Sequence, residues 1–269
     1  MNEETITRQL DTRWAARCLV YRDVTEGSTN DIARELADQG AVSGTLVITT
    51  RQLQGRGRNA HSWYCPDDGN IAMSLIVRPD LPLAAAPMLT LMTGLSVAEG
   101  IEDLLHEGSA HLQIKWPNDV VIGGRKVCGI LTESATTPQG TLAYAIIGIG
   151  INVNGTQFPE EVKQIAGSVR TQTGVEMDRS ALTACIMKHL EDDLKLLERD
   201  RDLSALKEPY ERRMAAIGSR IRVLDPGEET AGICRGIGTD GTLLLETEEG
   251  ELRSILAGEV SVRGICGYT

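Results

Sequence analysis

The stretch Leu112-Gln-Ile-Lys-Trp-Pro-Asn-Asp-Val-Val-Ile-Gly-Gly-Arg-Lys-Val-Cys-Gly-Ile-Leu-Thr-Glu133 decides the fold. Leu112 to Trp116 reads as a strand, closed by Pro117, whose ring fixes φ and removes a backbone donor. Asp119 to Ile122 extends again. Gly123-Gly124 is a hairpin-type turn, because glycine accepts the positive φ such turns need, and Lys126 to Glu133 returns as a strand. Strands joined directly by tight turns pair antiparallel, without the regular βαβ alternation of a parallel sheet.

Outward from this hairpin, Thr141 to Asn154 reads as a strand whose end, Gly148-Ile-Gly150-Ile-Asn152, is rich in glycine. On the N-terminal side, Ser28 caps a helix and Asp31 completes a capping-box pattern. Ile32, Ala33, Leu36 and Ala37 form its apolar face and Gly40 ends it. Gly44 to Thr50 and Asn70 to Val77 are strands flanking a loop, Arg51 to Gly69. Pro87 suits the first turn of a long helix reaching about Glu107. Leu182, Cys185, Ile186, Leu190, Leu194 and Leu197 mark an amphipathic helix, and a shorter one follows from Leu203 to Met214. Beyond Gly218, short strands alternate with the turns Asp225-Pro-Gly, Asp240-Gly241 and Glu249-Gly250, the spacing of a small β-barrel of about five strands. The expectation is an α+β protein with domains at residues 1–214 and 215–269.

The chain has 269 residues, enough for one large core plus a small module. Aromatics are scarce at three Trp, five Tyr and one Phe, so the core must be built from Ile, Leu, Val, Ala and Met. A net charge of −11 disfavours a broad basic face for nucleic acid, and no nucleic-acid partner is expected. The positive charge concentrated in Arg51, Arg56 and Arg58 suits a small anion instead. None of the six cysteines forms a Cys-x-x-Cys pair or stands at zinc-ligand spacing beside a histidine, so reduced thiols in a cytoplasmic protein are expected. The N-terminus lacks the apolar core of a signal peptide. The uncharged run Leu81 to Ala98 contains Pro82, Pro87 and Gly94 and reads as a buried helix, so no membrane association is expected.

Three segments carry chemistry. In Gln52-Leu-Gln-Gly-Arg56-Gly57-Arg58-Asn-Ala-His-Ser-Trp63, glycines let the backbone approach a ligand, two arginines at i and i+2 suit an oxyanion, and Trp63 offers a flat face for a purine. The bland alternative is a solvated Arg-Gly loop. In Lys115-Trp-Pro-Asn-Asp119, folding back at Gly123-Gly124 brings Asp119 near Lys126, an arrangement suited to a negatively charged transition state; ordinary surface charges on an exposed hairpin are the alternative. Glycines alternating with isoleucine from Gly148 to Asn152 suggest close approach by a ligand or by another backbone. Their spacing is not that of a dinucleotide fingerprint.

In order and at these separations, GRGR followed by Trp63, KWPND, the Lys126-Val-Cys-Gly129-Ile-Leu segment and GIGIN resemble the biotin protein ligase family over nearly the whole chain. The resemblance implies a catalytic domain similar to class II tRNA synthetases, with a mixed sheet and helices, and a C-terminal SH3-like barrel. It implies that ATP with Mg²⁺ and biotin are substrates, that no fixed metal site exists, and that the partner is a biotin carboxyl carrier protein or domain. By position, Ser28, Thr29, Asn30, Gln52, Arg56, Gly57, Arg58, Lys126 and Gly129 look like biotin-site residues. Arg56, Arg58, Trp63, Lys126 and Asn152 look like nucleotide-site residues, and Arg56, Arg58, Lys115, Asp119 and Lys126 resemble the catalytic set.

The expected reaction has two steps: formation of biotinyl-5'-AMP, then transfer of biotin to a carrier lysine. One departure is Ala60-His61, where the family commonly has Gly-Arg, which replaces a permanent charge with an imidazole. About 27 residues precede Ser28, too few for the winged-helix domain of some members. A homodimer is the assembly the resemblance favours. The rival readings are a lipoate or octanoate ligase, which needs a greasy acyl tunnel, and a non-catalytic biotin sensor.

Overall fold

The computed structural model describes residues 1–58, 62–65, 69–106, 110–225, 228–256 and 261–264. It places a helix and a strand ahead of the first element read from the sequence. Helix α1 (Glu3–Gln9) is capped by Asn2, and β1 (Cys18–Thr25) runs parallel to β2 (Thr45–Arg56). Helix α2 (Thr29–Asp38) starts as expected: Ser28 is the N-cap, and Asp31 accepts the Ser28 N–H at 3.3 Å.

The main sheet adds β3 (Ser62–Cys65), β4 (Ile71–Val77), β5 (Leu112–Lys115), β6 (Asp119–Ile122), β7 (Arg125–Thr136) and β8 (Leu142–Ile151). Its order is β1-β2-β4-β8-β7-β6-β5, with β3 paired to β2. All of these pairs except β1–β2 are antiparallel. Around it lie α3 (Ala86–Glu102), α4 (Val169–Thr173), α5 (Arg179–Asp200) and α6 (Lys207–Arg213).

Both sheet faces are covered, which is why β4 is apolar almost throughout. Side chains alternate across a strand. Met73, Leu75, Ile147 and Ile149 join the large core under α3 and α5, while Val47, Ile76 and Ile146 pack with Ala33 and Ala37 of α2. The aliphatic core matches the composition. The span Leu83–Glu102 is long and apolar enough to cross a membrane, but 72% of its apolar window is buried inside this fold.

Residues 220–264 form a separate small antiparallel sheet of five strands: β9 (Arg220–Asp225), β10 (Glu228–Ile237), β11 (Leu243–Glu246), β12 (Leu252–Ile255) and β13 (Ser261–Gly264). Its order, β12-β11-β10-β9-β13, is compatible with the expected SH3-like barrel. Trp116, 2% exposed, ties it to the main sheet by donating its Nε1–H to the Gly241 carbonyl at 3.1 Å. The Ala215 N–H donates to Ile114 O at 3.0 Å, stitching the connecting chain to the edge strand β5.

Three local readings need correction. The segment Arg51–Gly69 is not simply a loop: β2 continues to Arg56 and β3 folds back on it, with Gly55 opposite Trp63 and Arg56 opposite Ser62. Strand pairing satisfies backbone groups that an open loop would leave to water. Helix α3 ends at Glu102, not near Glu107. Helix α6 begins at Lys207 because Leu203 donates its N–H to Thr239 O at 2.7 Å, and the chain turns before the helix starts.

The α3–α5 contact carries a charged cluster. His189 of α5 lies 2.8 Å from Asp103 and 3.3 Å from Glu99 of α3. Its hydrogen bond to Glu99, then the one to Asp103, raises its pKa to about 9 against the opposing effect of burial. Buried Asp193 accepts from Ser96 at 2.6 Å, and burial raises its carboxyl to about 7. Arg213 of α6 reaches Glu102 at 2.7 Å. Both raised groups bind protons more tightly in the folded chain. The His189 contribution is therefore complete below its unfolded pKa, near 6.5, and is lost as pH rises through about 9. Over that window it is on the order of 1–3 kcal/mol, below full conversion because Asp103 is half exposed. Urea unfolding from pH 6.5 to 9 is expected to show falling stability in the wild type and a clearly flatter profile in His189→Gln; parallel profiles would refute the linkage.

Candidate active site

The site forms on the α2 face of the sheet. Strand alternation turns Ile130, Ile147, Ile149 and Ile151 into the core and leaves Gly129, Gly148 and Gly150 on the opposite face. Gly129 and Gly150 are cross-strand partners, and Gly148 pairs with Ser74. The glycine-rich pattern is explained by side chains that lie on it. A Cβ at Gly150 would sit 2.3 Å from Trp63 Cε2, one at Gly129 would sit 2.9 Å from Trp63 Cζ3, and one at Gly148 would sit 2.3 Å from Asn30 Oδ1. The indole thus lies flat over a two-glycine slot.

Above this floor is a cleft lined by Ser28, Thr29, Asn30, Gln52, Arg56, Gly57, Arg58, Trp63, Lys126 and Gly129, together with Met73, Asn118 and Leu131. All nine residues expected at the biotin site therefore converge from three separate segments, 28–30, 52–58 and 126–129. One end is polar. Gln52 accepts the Thr29 N–H at 2.8 Å, and Ser28 Oγ accepts the Asn30 N–H at 3.3 Å.

The other end carries the charges. Lys126 Nζ lies 2.6 Å from Asp119 Oδ1 and 5.7 Å from the centre of the Trp63 ring. The bend at Gly123-Gly124 achieves this as the sequence led one to expect, with Asp119 opposite Gly129 in register. Arg58 Nη1 donates to Asn118 Oδ1 at 3.3 Å, and burial lowers its pKa while the Asp119 charge opposes that shift. Arg56 turns instead to carboxylates, 2.5 Å from Asp31 and 3.4 Å from Glu133.

Three expected residues stand behind the cleft and do not line it: Lys115, Asn152 and Asp119, which meets it through its ion pair with Lys126. Lys115 is 5% exposed and pairs with Asp119 across β5–β6. Asn152 donates its Nδ2–H to Gly167 O at 3.1 Å, bracing the segment whose Ile165 O accepts the Lys126 N–H. Asn152 therefore touches the cleft through the backbone of Lys126. Ala60 and His61 lie outside the described residues. Asn118, Ser74 and Glu133 were missed in the sequence. A lone serine in the apolar run Asn70 to Val77, and a glutamate at the same parity as Gly129 and Leu131, were the signals available for the last two. Cys128 is buried and free, and burial pushes its thiol up, away from reactivity.

The segments that build this cationic, glycine-floored cleft fall within the match to the class of biotin and lipoate protein ligases. The model of the biotin/lipoate A/B protein ligase family matches residues 22–152, and that of the biotin protein ligase C terminal domain matches residues 216–263. The chain is 37% identical over 270 residues to the bifunctional ligase/repressor BirA of Bacillus spizizenii, covering 97% of this chain and 79% of that protein. It is 33% identical to the biotin–[acetyl-CoA-carboxylase] ligase of Mycobacterium tuberculosis, covering 87% and 85% of the two chains. The biotin protein ligase from Aquifex aeolicus, solved in complex with biotin and ATP, superposes with a TM-score of 0.78 at 29% identity, covering 92% of this chain and 99% of that one. The chain belongs to the biotin protein ligase family.

Proposed function

We propose that this chain is an ATP-dependent ligase that forms biotinyl-5'-AMP from biotin and ATP and transfers biotin to a lysine of a biotin carboxyl carrier protein. The observation that carries the reading is the cleft itself: a polar end at Ser28, Thr29, Asn30 and Gln52, and a cationic end at Lys126, Arg58 and Arg56, on one glycine floor. The polar end supplies donors and acceptors for a ureido ring. The cationic end stands where the biotin carboxylate meets the α-phosphate, and its charges offset the repulsion between two anions. Arg56 exchanges its carboxylate partners for the ligand's phosphate. Trp63 offers its free face to the adenine. Asp119 then receives a proton from the incoming lysine ammonium, leaving a neutral amine to attack the mixed anhydride and release AMP. Mg²⁺ arrives with ATP and neutralises phosphate charge.

The same reading divides the chain into a catalytic domain, residues 1–214, and a C-terminal domain, residues 215–269. It places the protein in the cytoplasm, with the carboxylase carrier as its partner and a homodimer as its assembly. Pyrophosphate release is expected with biotin and ATP and not with lipoate and ATP. Biotin and ATP at about a hundred times their Kd are also expected to raise Tm by about 5–10 °C. Equal turnover of lipoate would assign the lipoate branch of the family, and binding without pyrophosphate release would make the chain a sensor.

A further inference from the structure

Glu133 and Ser74 both touch Asn30, and the directions of their hydrogen bonds are fixed by chemistry. Asn30 Nδ2 is 2.7 Å from Glu133 Oε2, Asn30 Oδ1 is 2.6 Å from Ser74 Oγ, and Ser74 Oγ is 2.7 Å from Thr29 Oγ1. Ser74, Asn30 and Thr29 are all buried, so water does not stand in for any of these partners. A carboxylate at neutral pH only accepts. Asn30 must therefore turn its NH₂ group to Glu133, since the flipped amide would set two acceptors face to face. The second hydrogen of that NH₂ group points at Leu131 O, 3.3 Å away. An amide oxygen only accepts, so Ser74 donates to Asn30. Ser74 has one proton, so the remaining contact runs the other way, and the Thr29 hydroxyl donates to Ser74.

The consequence lies in what remains for a ligand. Thr29 has given its proton to Ser74, and Asn30 has given both of its protons to the protein. Toward the cleft they keep lone pairs alone. We infer that Glu133 and Ser74 are positioning residues which, through Asn30 and Thr29, make the inner end of the cleft an acceptor surface that selects a cyclic urea by its ring N–H groups. The inference deepens the reading of the cleft as a biotin site and rests on it. The pair is held in place from outside. Arg34 lies 2.5 Å from Glu133, and Gly148, the cross-strand partner of Ser74, leaves the room that Asn30 occupies. Neither residue need touch the ligand for the polarity to be imposed.

The test compares two probes by calorimetry without ATP: biotin, and its cyclic-carbamate analogue in which one ring N–H is replaced by oxygen. The wild type is expected to prefer biotin by about tenfold to a hundredfold, the effect of losing one hydrogen bond and leaving a buried acceptor facing another. In Ser74→Ala the Thr29 hydroxyl is released and turns outward as a donor; in Glu133→Gln the Asn30 amide is free to flip. In both, the preference is expected to fall to about threefold or less, chiefly because the carbamate gains. Glu133 also holds Arg34 and Arg56, so thermal melting checks each variant, and Ser74→Ala decides alone if Glu133→Gln does not fold. Equal weakening of both probes, with the ratio unchanged, is what a merely structural role produces and would overturn the inference. So would a wild type that binds both probes equally. A wild type that binds neither overturns the biotin reading itself, a result distinct from an unchanged ratio.

Discussion

Lys126→Met is expected to slow formation of biotinyl-AMP by a hundredfold or more. The ammonium stands between Asp119, 2.6 Å away, and the indole of Trp63, at the cationic end of the cleft. Removing a charge that acts on a developing anionic transition state costs about 2.7–4 kcal/mol by analogy with oxyanion-hole donors. Methionine keeps the length and the apolar stem of the side chain, so the packing against Gly129 survives while the charge does not. Asp119→Asn is expected to act on the other half-reaction. Asparagine keeps the shape of the carboxylate but does not take the proton of a lysine ammonium, so transfer from added biotinyl-AMP to the carrier falls more than adenylate synthesis does. Single-turnover kinetics with biotin and ATP, and separately with biotinyl-AMP and carrier, measure the two steps. Normal adenylate synthesis by Lys126→Met, or normal transfer by Asp119→Asn, would refute the corresponding role.

Trp116→Ala is expected to destabilise the protein by about 3–5 kcal/mol, the range for emptying a buried aromatic site. Trp116 is almost fully buried and packs in the main core, while its Nε1–H reaches across to Gly241 of the C-terminal sheet. Trp116→Phe keeps much of the packing and loses that hydrogen bond, leaving the Gly241 carbonyl short of a donor, at a cost of about 1–3 kcal/mol. Because Asn118 and Asp119 follow two and three residues later, the strain reaches the cleft. Denaturant unfolding followed separately by tryptophan fluorescence and by circular dichroism measures the effect. A loss under about 1 kcal/mol for Trp116→Ala would show that the two sheets do not depend on this contact.

Much of the frame was legible because it depends on neighbours in the chain. The Ser28–Asp31 capping box, the Gly123-Gly124 turn that brings Asp119 to Lys126, and the alternation of glycine with isoleucine near Gly148 are local patterns. Other elements left little trace. Strand β1 is largely exposed, since it lies at the edge of the sheet, so its residues show no clean alternation. Strand β3 has four residues and is held by pairing with β2 rather than by a pattern of its own. Asn152, at the end of the glycine-rich strand, reads as a ligand contact in the sequence, and in the fold its side chain donates to Gly167 O.

The sequence by itself determined the α+β frame, the aliphatic core, the turn that brings Asp119 to Lys126 and ten of the eighteen described residues that line the cleft. Local capping, turn chemistry and side-chain parity act within a few residues, so they are written into short segments. Only the tertiary structure decided which residues answer one another across the cleft. Trp63 settles on Gly150, Arg56 on Asp31 and Glu133, and Asn30 between Ser74 and Glu133. These partners lie 25 to 103 positions apart. Their meeting depends on strand order and register, and a slip of one residue would turn Ser74, Gly148 and Glu133 to the opposite face of the sheet.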